Sequence, residues 1–320
     1  MRAFVVVLSI VVLLPLALDI HAESDADDQW WPSEWGGEDE RGAANRLGSD
    51  KVLEATGLIR TGRVYELGRN YEAGMPLFPG RHFSLTIPGS PTHGPLGKNQ
   101  TVGHDELVSG QIGQVGTQFD GLGHIGARID GEDLFYNGFN RRDFGTPYGL
   151  KRLGVEKVGP IVTRGVLIDV AAYKGVERLP VGDVISVDDI EKALYRQKTE
   201  IHPGDVVLIH TGHGRLWMVD NEEYSRGSPG IGMEAARWLA ARKVVMTGAD
   251  TSSVEVIPSE DPGMAYPVHQ ELLRKHGIYN MENLDLAELA RDGVYEFAFF
   301  FSPVKLKGAT GSPGNPIAIR

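Results

Sequence analysis

The chain contains no cysteine. Disulfides and thiolate chemistry are therefore excluded, and any metal must be held by nitrogen and oxygen donors of histidine, carboxylate or amide side chains. Positive charge is in deficit too: 32 Lys and Arg stand against 43 Asp and Glu, a formal net charge of -11 at pH 7. Such a chain does not attract nucleic acid or an anionic membrane surface over long range, which leaves a small molecule as the natural partner. Several catalytic signatures are also missing. The sequence has no Gly-x-Ser-x-Gly elbow, no phosphate loop ending in Gly-Lys-Ser/Thr and no His-Glu-x-x-His helix. Serine hydrolysis of the elbow type, phosphate-loop nucleotide chemistry and zincin-type proteolysis each lose their machinery. No internal repeat or low-complexity linker interrupts the chain.

The long apolar run that does occur is N-terminal. Arg2 precedes a nearly all-apolar stretch from Phe4 to Leu18, and Ile20-His21-Ala22 offers a small residue for cleavage. This pattern predicts an export signal cut after Ala22 and a periplasmic or secreted protein, with a retained anchor as the alternative. The mature chain, 320 minus 22 or 298 residues, is large enough for one sizeable core, read as a single domain over residues 23–320. Residues 23–40 are acidic yet hold Trp30, Trp31 and Trp35, so the segment should drape over the body, its tryptophans packing on a core edge or a neighbouring subunit. Gly165 to Val170 and Val206 to His210 read as buried strands, with a helix from Ser186 to Arg196 between them. Ser228-Pro229 reads as a helix start, with Met233 to Arg242 carrying a helical pattern into the apolar run Val244 to Met246. Pro267 opens a further helix through Lys275, closed by Gly277. Tyr295 to Phe301 is a closing strand, followed by a Gly/Pro-rich tail from Gly308 to Pro316. The mix predicts an α/β or α+β fold with a substantial sheet.

Gln114-Val-Gly-Thr-Gln118-Phe-Asp120-Gly-Leu-Gly-His124 carries the chemistry. Gln114, Gln118, Asp120 and His124 stand at even offsets and would share one face of an extended backbone, whereas a helix would scatter them and its three glycines disfavour one. One carboxylate, one imidazole and two amide oxygens describe a divalent metal site with an acid/base to spare. Downstream, His269 lies in the first turn of the predicted helix and Glu282 just past the following strand, which would return both to one end of a sheet. A surface or capping role is the alternative for His269.

The Gly-Thr-x-x-Asp-x-x-x-His core, with His269, Glu282 and the closing Lys307-Gly-Ala-Thr-Gly-Ser-Pro, resembles the cyclase family of metal-dependent hydrolases, which includes bacterial kynurenine formamidases and isatin hydrolases. The resemblance extends from Gly42-Ala-Ala-Asn-Arg to the C-terminus. It implies a swivelling β/β/α fold, a mixed central sheet with flanking helices, and a homo-oligomer. Two departures stand out: the formamidase motif has histidines at Gln114 and Gln118, and a proline within the Gly121-Leu-Gly stretch. The Gln-x-x-x-Gln-Phe-Asp-x-x-x-His form instead resembles the branch that includes zinc-dependent trans-dienelactone hydrolases. By that likeness Gln114, Gln118, Asp120, His269 and Glu282 are metal ligands and His124 is the proton donor and acceptor.

The two carboxylates balance one divalent ion, and two ions would leave excess positive charge. Zinc is favoured; the hard amide donors also make manganese credible. The implied chemistry is metal-assisted hydrolysis of a lactone, a cyclic amide or an N-acyl or N-formyl amide. Its alternatives are an exported small-ligand-binding protein that has lost catalysis and a metal-dependent cyclase or dehydratase. Phe78 and Arg81 are candidate substrate contacts, Arg81 as a carboxylate clamp. His210 and His213 follow a strand end; His213 is a candidate pocket residue, and Asp250 a candidate support for the ligands.

Overall fold

The computed structural model describes residues 29–320; the expected signal segment and its cleavage point lie outside the described residues. At the centre is a nine-stranded mixed sheet, in the order Val64–Glu66, Ile317–Ile319, Glu296–Phe301, Ile161–Asp169, Val206–His210, Met246–Ala249, Tyr279–Glu282, Gln118–Asp120 and Gly311–Pro313. The four strands from Ile161–Asp169 to Tyr279–Glu282 run parallel, and the remaining pairings are antiparallel. Parallel neighbours need crossover connections, and the chain supplies helices for them, including Val187–Gln197, Met233–Ala241 and Pro267–His269.

Side-chain alternation divides each central strand between two cores. Leu167, Leu208, Met246 and Met281 join Phe119, Phe297 and Phe299 on one side. Val166, Ile168, Val207 and Ile209 meet Ile190, Leu239 and Leu272 on the other. Burial on both faces explains why these strands read as continuous apolar runs.

The helix expected from Ser186 spans Val187–Gln197, with Ser186 and Asp189 forming a reciprocal capping box. Two expectations are corrected. Ser228-Pro229 starts no helix: Ser228 donates its hydroxyl to the Glu255 carbonyl at 3.0 Å, Gly230–Ile231 pairs with Val184–Ile185, and the helix begins at Met233 after Gly232. The Gly/Pro-rich stretch from Gly308 is no loose tail, since Gly311–Pro313 forms the sheet edge beside Gln118–Asp120. Its glycine is required by close approach: a Cβ on Gly311 would lie 2.5 Å from Gln114 Nε2 and 2.5 Å from the Gly113 carbonyl oxygen. The helix opened by Pro267 widens into a π-helical turn over Gln270–Lys275 before Gly277.

Of the acidic leader, residues 29–40 pack on the body as expected, and 23–28 lie outside the described residues. Trp35 lies against the second core with the Arg46 guanidinium 4.6 Å from its ring, and Trp31 abuts Gly138, where a Cβ would lie 2.5 Å from the indole.

At the opposite end of the parallel strands, fully buried Asp205 accepts from Arg164 Nη1 at 2.6 Å, Lys51 Nζ at 3.1 Å and the His202 amide at 2.8 Å. Without Asp205, buried Arg164 and Lys51 would keep only the more exposed Glu296 at 2.8 Å and Glu54 at 2.6 Å, so Asp205→Ala is expected to cost about 3 kcal/mol of stability, the low end for a broken buried pair. Chemical denaturation would check this; a loss below about 1 kcal/mol would show that water reaches Arg164.

Candidate metal centre

The sheet edge assembles the site. Gln118 lies opposite Glu282 and Asp120 opposite Asn280 in antiparallel register, so Gln118, Asp120 and Glu282 project to one face while Phe119 and Met281 enter the core behind. The helical turn Pro267–His269 lowers His269 onto that face, fixed by Val268 and Leu272 in the second core. Donor atoms of Asp120, His269 and Glu282, all buried, lie within 4.8 Å of one another. His269 Nε2 is 3.1 Å from Glu282 Oε1 and 3.6 Å from Asp120 Oδ2.

Extended backbone accounts for only part of the upstream motif. The strand is three residues long, Gln118–Asp120. Gln114 and His124 arrive by turns, Gln114 N donating to the Gln111 carbonyl at 2.7 Å and His124 N to the Gly121 carbonyl at 3.0 Å. They still converge: Gln114 Nε2 donates to Asp120 Oδ1 at 3.1 Å, and His124 Nε2 lies 3.9 Å from the same oxygen. Gln118 Nε2 donates to Glu282 Oε2 at 2.9 Å. Glu282 is the last residue of its strand, one step earlier than its expected place. Asn283 locks the two segments together, donating from Nδ2 to the Gly116 carbonyl at 2.7 Å while its own carbonyl accepts from Thr117 Oγ1 at 2.8 Å.

Buried negative charge dominates the electrostatics. Burial and the neighbouring Asp120 push the Glu282 carboxyl above its ordinary pKa. Asp120 stays below its ordinary value despite burial because His124 and His269 face it. Burial alone would favour neutral His269, but Asp120, Glu255 and Glu282 hold it well above the usual imidazole range. Burial pushes His124 below that range. A divalent cation suits this donor set on two observations: the carboxylate charge is concentrated, and Gln114 Oε1 and Asp120 Oδ2 are buried oxygens without hydrogen-bond partners.

Glu255 was not singled out from sequence. Its carboxylate receives a short hydrogen bond from His269 Nδ1, and accepts from the His269 amide at 3.1 Å and the Val268 amide at 3.3 Å. That contact fixes the imidazole with Nε2 aimed at the acids, the support that carboxylates give metal-binding histidines. The one local signal is a charge between buried Val254 and Val256. Asp250, expected in this role, instead accepts from Thr211 N and Oγ1 at 2.9 and 2.7 Å and from Gly214 N at 3.2 Å, organising the loop after Val206–His210. His213 does not line the pocket: it is buried, stacks on Tyr224 with centroids 5.2 Å apart, and its Nε2 meets the Tyr224 carbonyl at 3.3 Å. His210 is held by Asp169, Nδ1 to Oδ1 at 2.8 Å.

A cavity of about 120 Å³ opens over His269 and Glu282, walled by Phe78, Arg81, His124, Ser253 and Tyr266. Arg81 Nη1 donates to the Gln114 carbonyl at 2.6 Å, its guanidinium lies 4.9 Å from the Phe78 ring, and among the described residues no carboxylate is within salt-bridge distance. A second cavity of about 120 Å³ shares Phe78, Gln118 and Ser252 and is lined by Leu77, Val115 and Tyr224. The two cavities are thus neighbours across Phe78, Gln118 and Ser252.

The Cyclase family model matches residues 65–256, which include Asp120 and His124 but end before His269 and Glu282. A crystal structure described as a novel cyclase is 34% identical, with a TM-score of 0.79 over 89% of this chain and 96% of that one. Isatin hydrolase A from Ralstonia solanacearum is 22% identical, with a TM-score of 0.59 over 85% of this chain and 96% of its own. Isatin hydrolase A from Labrenzia aggregata, bound to benzyl benzoate, is 20% identical, with a TM-score of 0.58 over 84% and 98% of the two chains. No curated protein sequence matches. A family match over more than half of the chain, joined to a fold shared over 89% of it at 34% identity, places this protein in the cyclase family.

Proposed function

We propose that the protein is a metal-dependent hydrolase of small anionic cyclic esters, cyclic amides or N-acyl amides, closest in its glutamine-bearing motif to dienelactone hydrolases. The observation that carries this reading is the buried Asp120, His269 and Glu282 group, with the partnerless oxygens of Asp120 and Gln114, open to a chamber that also receives His124. Asp120, His269 and Glu282 would hold the ion, with amide oxygens of Gln114 and Gln118 completing the set. When bound, it would polarise the substrate carbonyl and make water more acidic.

The protein's own groups supply the rest. His124, kept neutral by burial, accepts a proton from the attacking water at a ring nitrogen and returns it to the leaving oxygen or nitrogen. Asp120 faces the imidazolium that forms, 3.9 Å from Nε2. Arg81 offers its guanidinium to a substrate carboxylate, and the Leu77, Val115 and Tyr224 chamber takes an apolar body.

The direct test assays unsaturated lactones, isatin and N-formylkynurenine with the zinc- or manganese-loaded protein. Turnover confined to N-formylkynurenine would move the assignment to the formamidase branch, and silence across the panel would favour a ligand-binding protein. Arg81→Ala is expected to raise KM for anionic substrates about 10- to 100-fold, the worth of a charge-assisted hydrogen bond, with little change in kcat. An equal effect on an uncharged ester would remove the carboxylate clamp from this account.

A further inference from the structure

We propose that the Ser253 hydroxyl is the hydrogen-bond donor for the substrate oxygen on which negative charge develops, a catalytic residue besides His124. The proposal rests on the hydrolase function proposed above and adds to it a group that function has not yet used. Ser253 is 1% exposed, and its Oγ has no hydrogen-bond partner among the described residues. Burying a hydroxyl without a partner costs stability, and folded chains keep few such groups without a reason. The reason here is position: Ser253 walls the cavity over His269 and Glu282, together with His124 and Arg81.

The backbone around Ser253 is clamped from both sides. Upstream, the Thr251 carbonyl accepts from the Asn283 amide at 2.8 Å, and Thr251 Oγ1 donates to the Ser253 carbonyl at 2.5 Å. Downstream, the Val254 amide donates to Glu282 Oε1 at 3.2 Å, and Glu255 holds His269 through Nδ1. The segment is therefore tied to both the acid and the imidazole of the site, while the serine side chain stays uncommitted. A donor held in place by its neighbours needs no reorganisation as charge develops, the condition under which a hydrogen bond favours the transition state over the bound substrate.

The other buried walls have no donor to spare. Four residues of that cavity are buried: Gln118, Ser253, His269 and Glu282. Gln118 Nε2 donates to Glu282 Oε2 at 2.9 Å. His269 has Nδ1 on Glu255 and Nε2 3.1 Å from Glu282 Oε1, and an ionised Glu282 only accepts. Half-buried His124 serves as the base and Arg81 as the carboxylate clamp, which leaves Ser253 for the developing oxyanion. A serine hydroxyl donates without surrendering its proton, so proton transfer stays with His124.

The test compares Ser253→Ala with the wild type in three measurements: thermal unfolding of the apo protein, metal content, and turnover of unsaturated lactones, isatin and N-formylkynurenine. The variant should bind metal as the wild type does, and its apo Tm should lie within about 2 °C of the wild type or above it, because no hydrogen bond within the fold is lost. On any substrate the wild type turns over, kcat should fall about 10- to 100-fold with KM within about 3-fold, a smaller loss than at a site that relies on hydrogen bonds alone. A Tm lower by more than about 2 °C would show the hydroxyl bonded within the fold. Lost metal would make the residue structural, and an unchanged kcat or a loss confined to KM would show it inactive in the transition state. Each of these overturns the proposal and leaves the hydrolase function standing. Silence of the wild type across the panel fails differently, overturning the hydrolase function and the donor role with it.

Discussion

Asp120→Asn is expected to abolish stoichiometric binding of zinc or manganese and reduce turnover to background, while the apo protein still folds. Asp120 Oδ2 is a buried anionic oxygen with no hydrogen-bond partner, and Asp120 raises the pKa of Glu282 across the site. Removing the charge relieves the repulsion with Glu282 but also loses the attraction to His269, 3.6 Å away, and it removes a ligand from the loaded protein. Thermal unfolding separates the two effects: wild-type protein should gain about 2.7 kcal/mol when free metal reaches about 100 times Kd, and the variant should gain nothing. Elemental analysis of the wild type should find one ion per chain, because Asp120 and Glu282 balance a single divalent charge; two equivalents retained after dialysis would sink that model. Gln118→His should tighten binding if the amide is a ligand, whereas weaker binding would assign Gln118 to orienting Glu282 through its 2.9 Å hydrogen bond.

His124→Ala should cut kcat by about 10²- to 10⁴-fold, the usual worth of a positioned acid/base, and leave the metal in place. The geometry supports the split. His124 is 3.9 Å from the nearest oxygen of Asp120 and faces the chamber, outside the tight group of Asp120, His269 and Glu282. Burial already lowers its pKa, and a nearby divalent cation would lower it further, so activity should persist below the ordinary imidazole pKa near 6.5 before protonation removes the base. Loss of metal in the alanine variant would reverse the roles of His124 and the glutamines.

Period and composition made the strand cores legible: Val206–His210 and the helix from Ser186 are recovered within a residue because both faces of the sheet are buried and the capping box is local. Ser228-Pro229 misled for the opposite reason. A helix-start pair was claimed by a distant partner, the Glu255 carbonyl. His213 and Asp250 illustrate the same limit, since a strand end shows where polar residues gather but not toward which loop each turns.

The sequence by itself determined the chemistry available: without cysteine the donors must be oxygen and nitrogen, and Gln114, Gln118, Asp120, His124, His269 and Glu282 stand out as residue types suited to one ion and one base. Tertiary structure alone decided which of them meet. Antiparallel register sets Gln118 against Glu282, turns rather than extended chain deliver Gln114 and His124, and Glu255 is recruited to hold His269. Local periodicity constrains the face on which a side chain stands within its own element. The distance between Asp120 and Glu282 is instead set by hydrogen-bonded pairing of segments more than 150 residues apart, which no local pattern encodes.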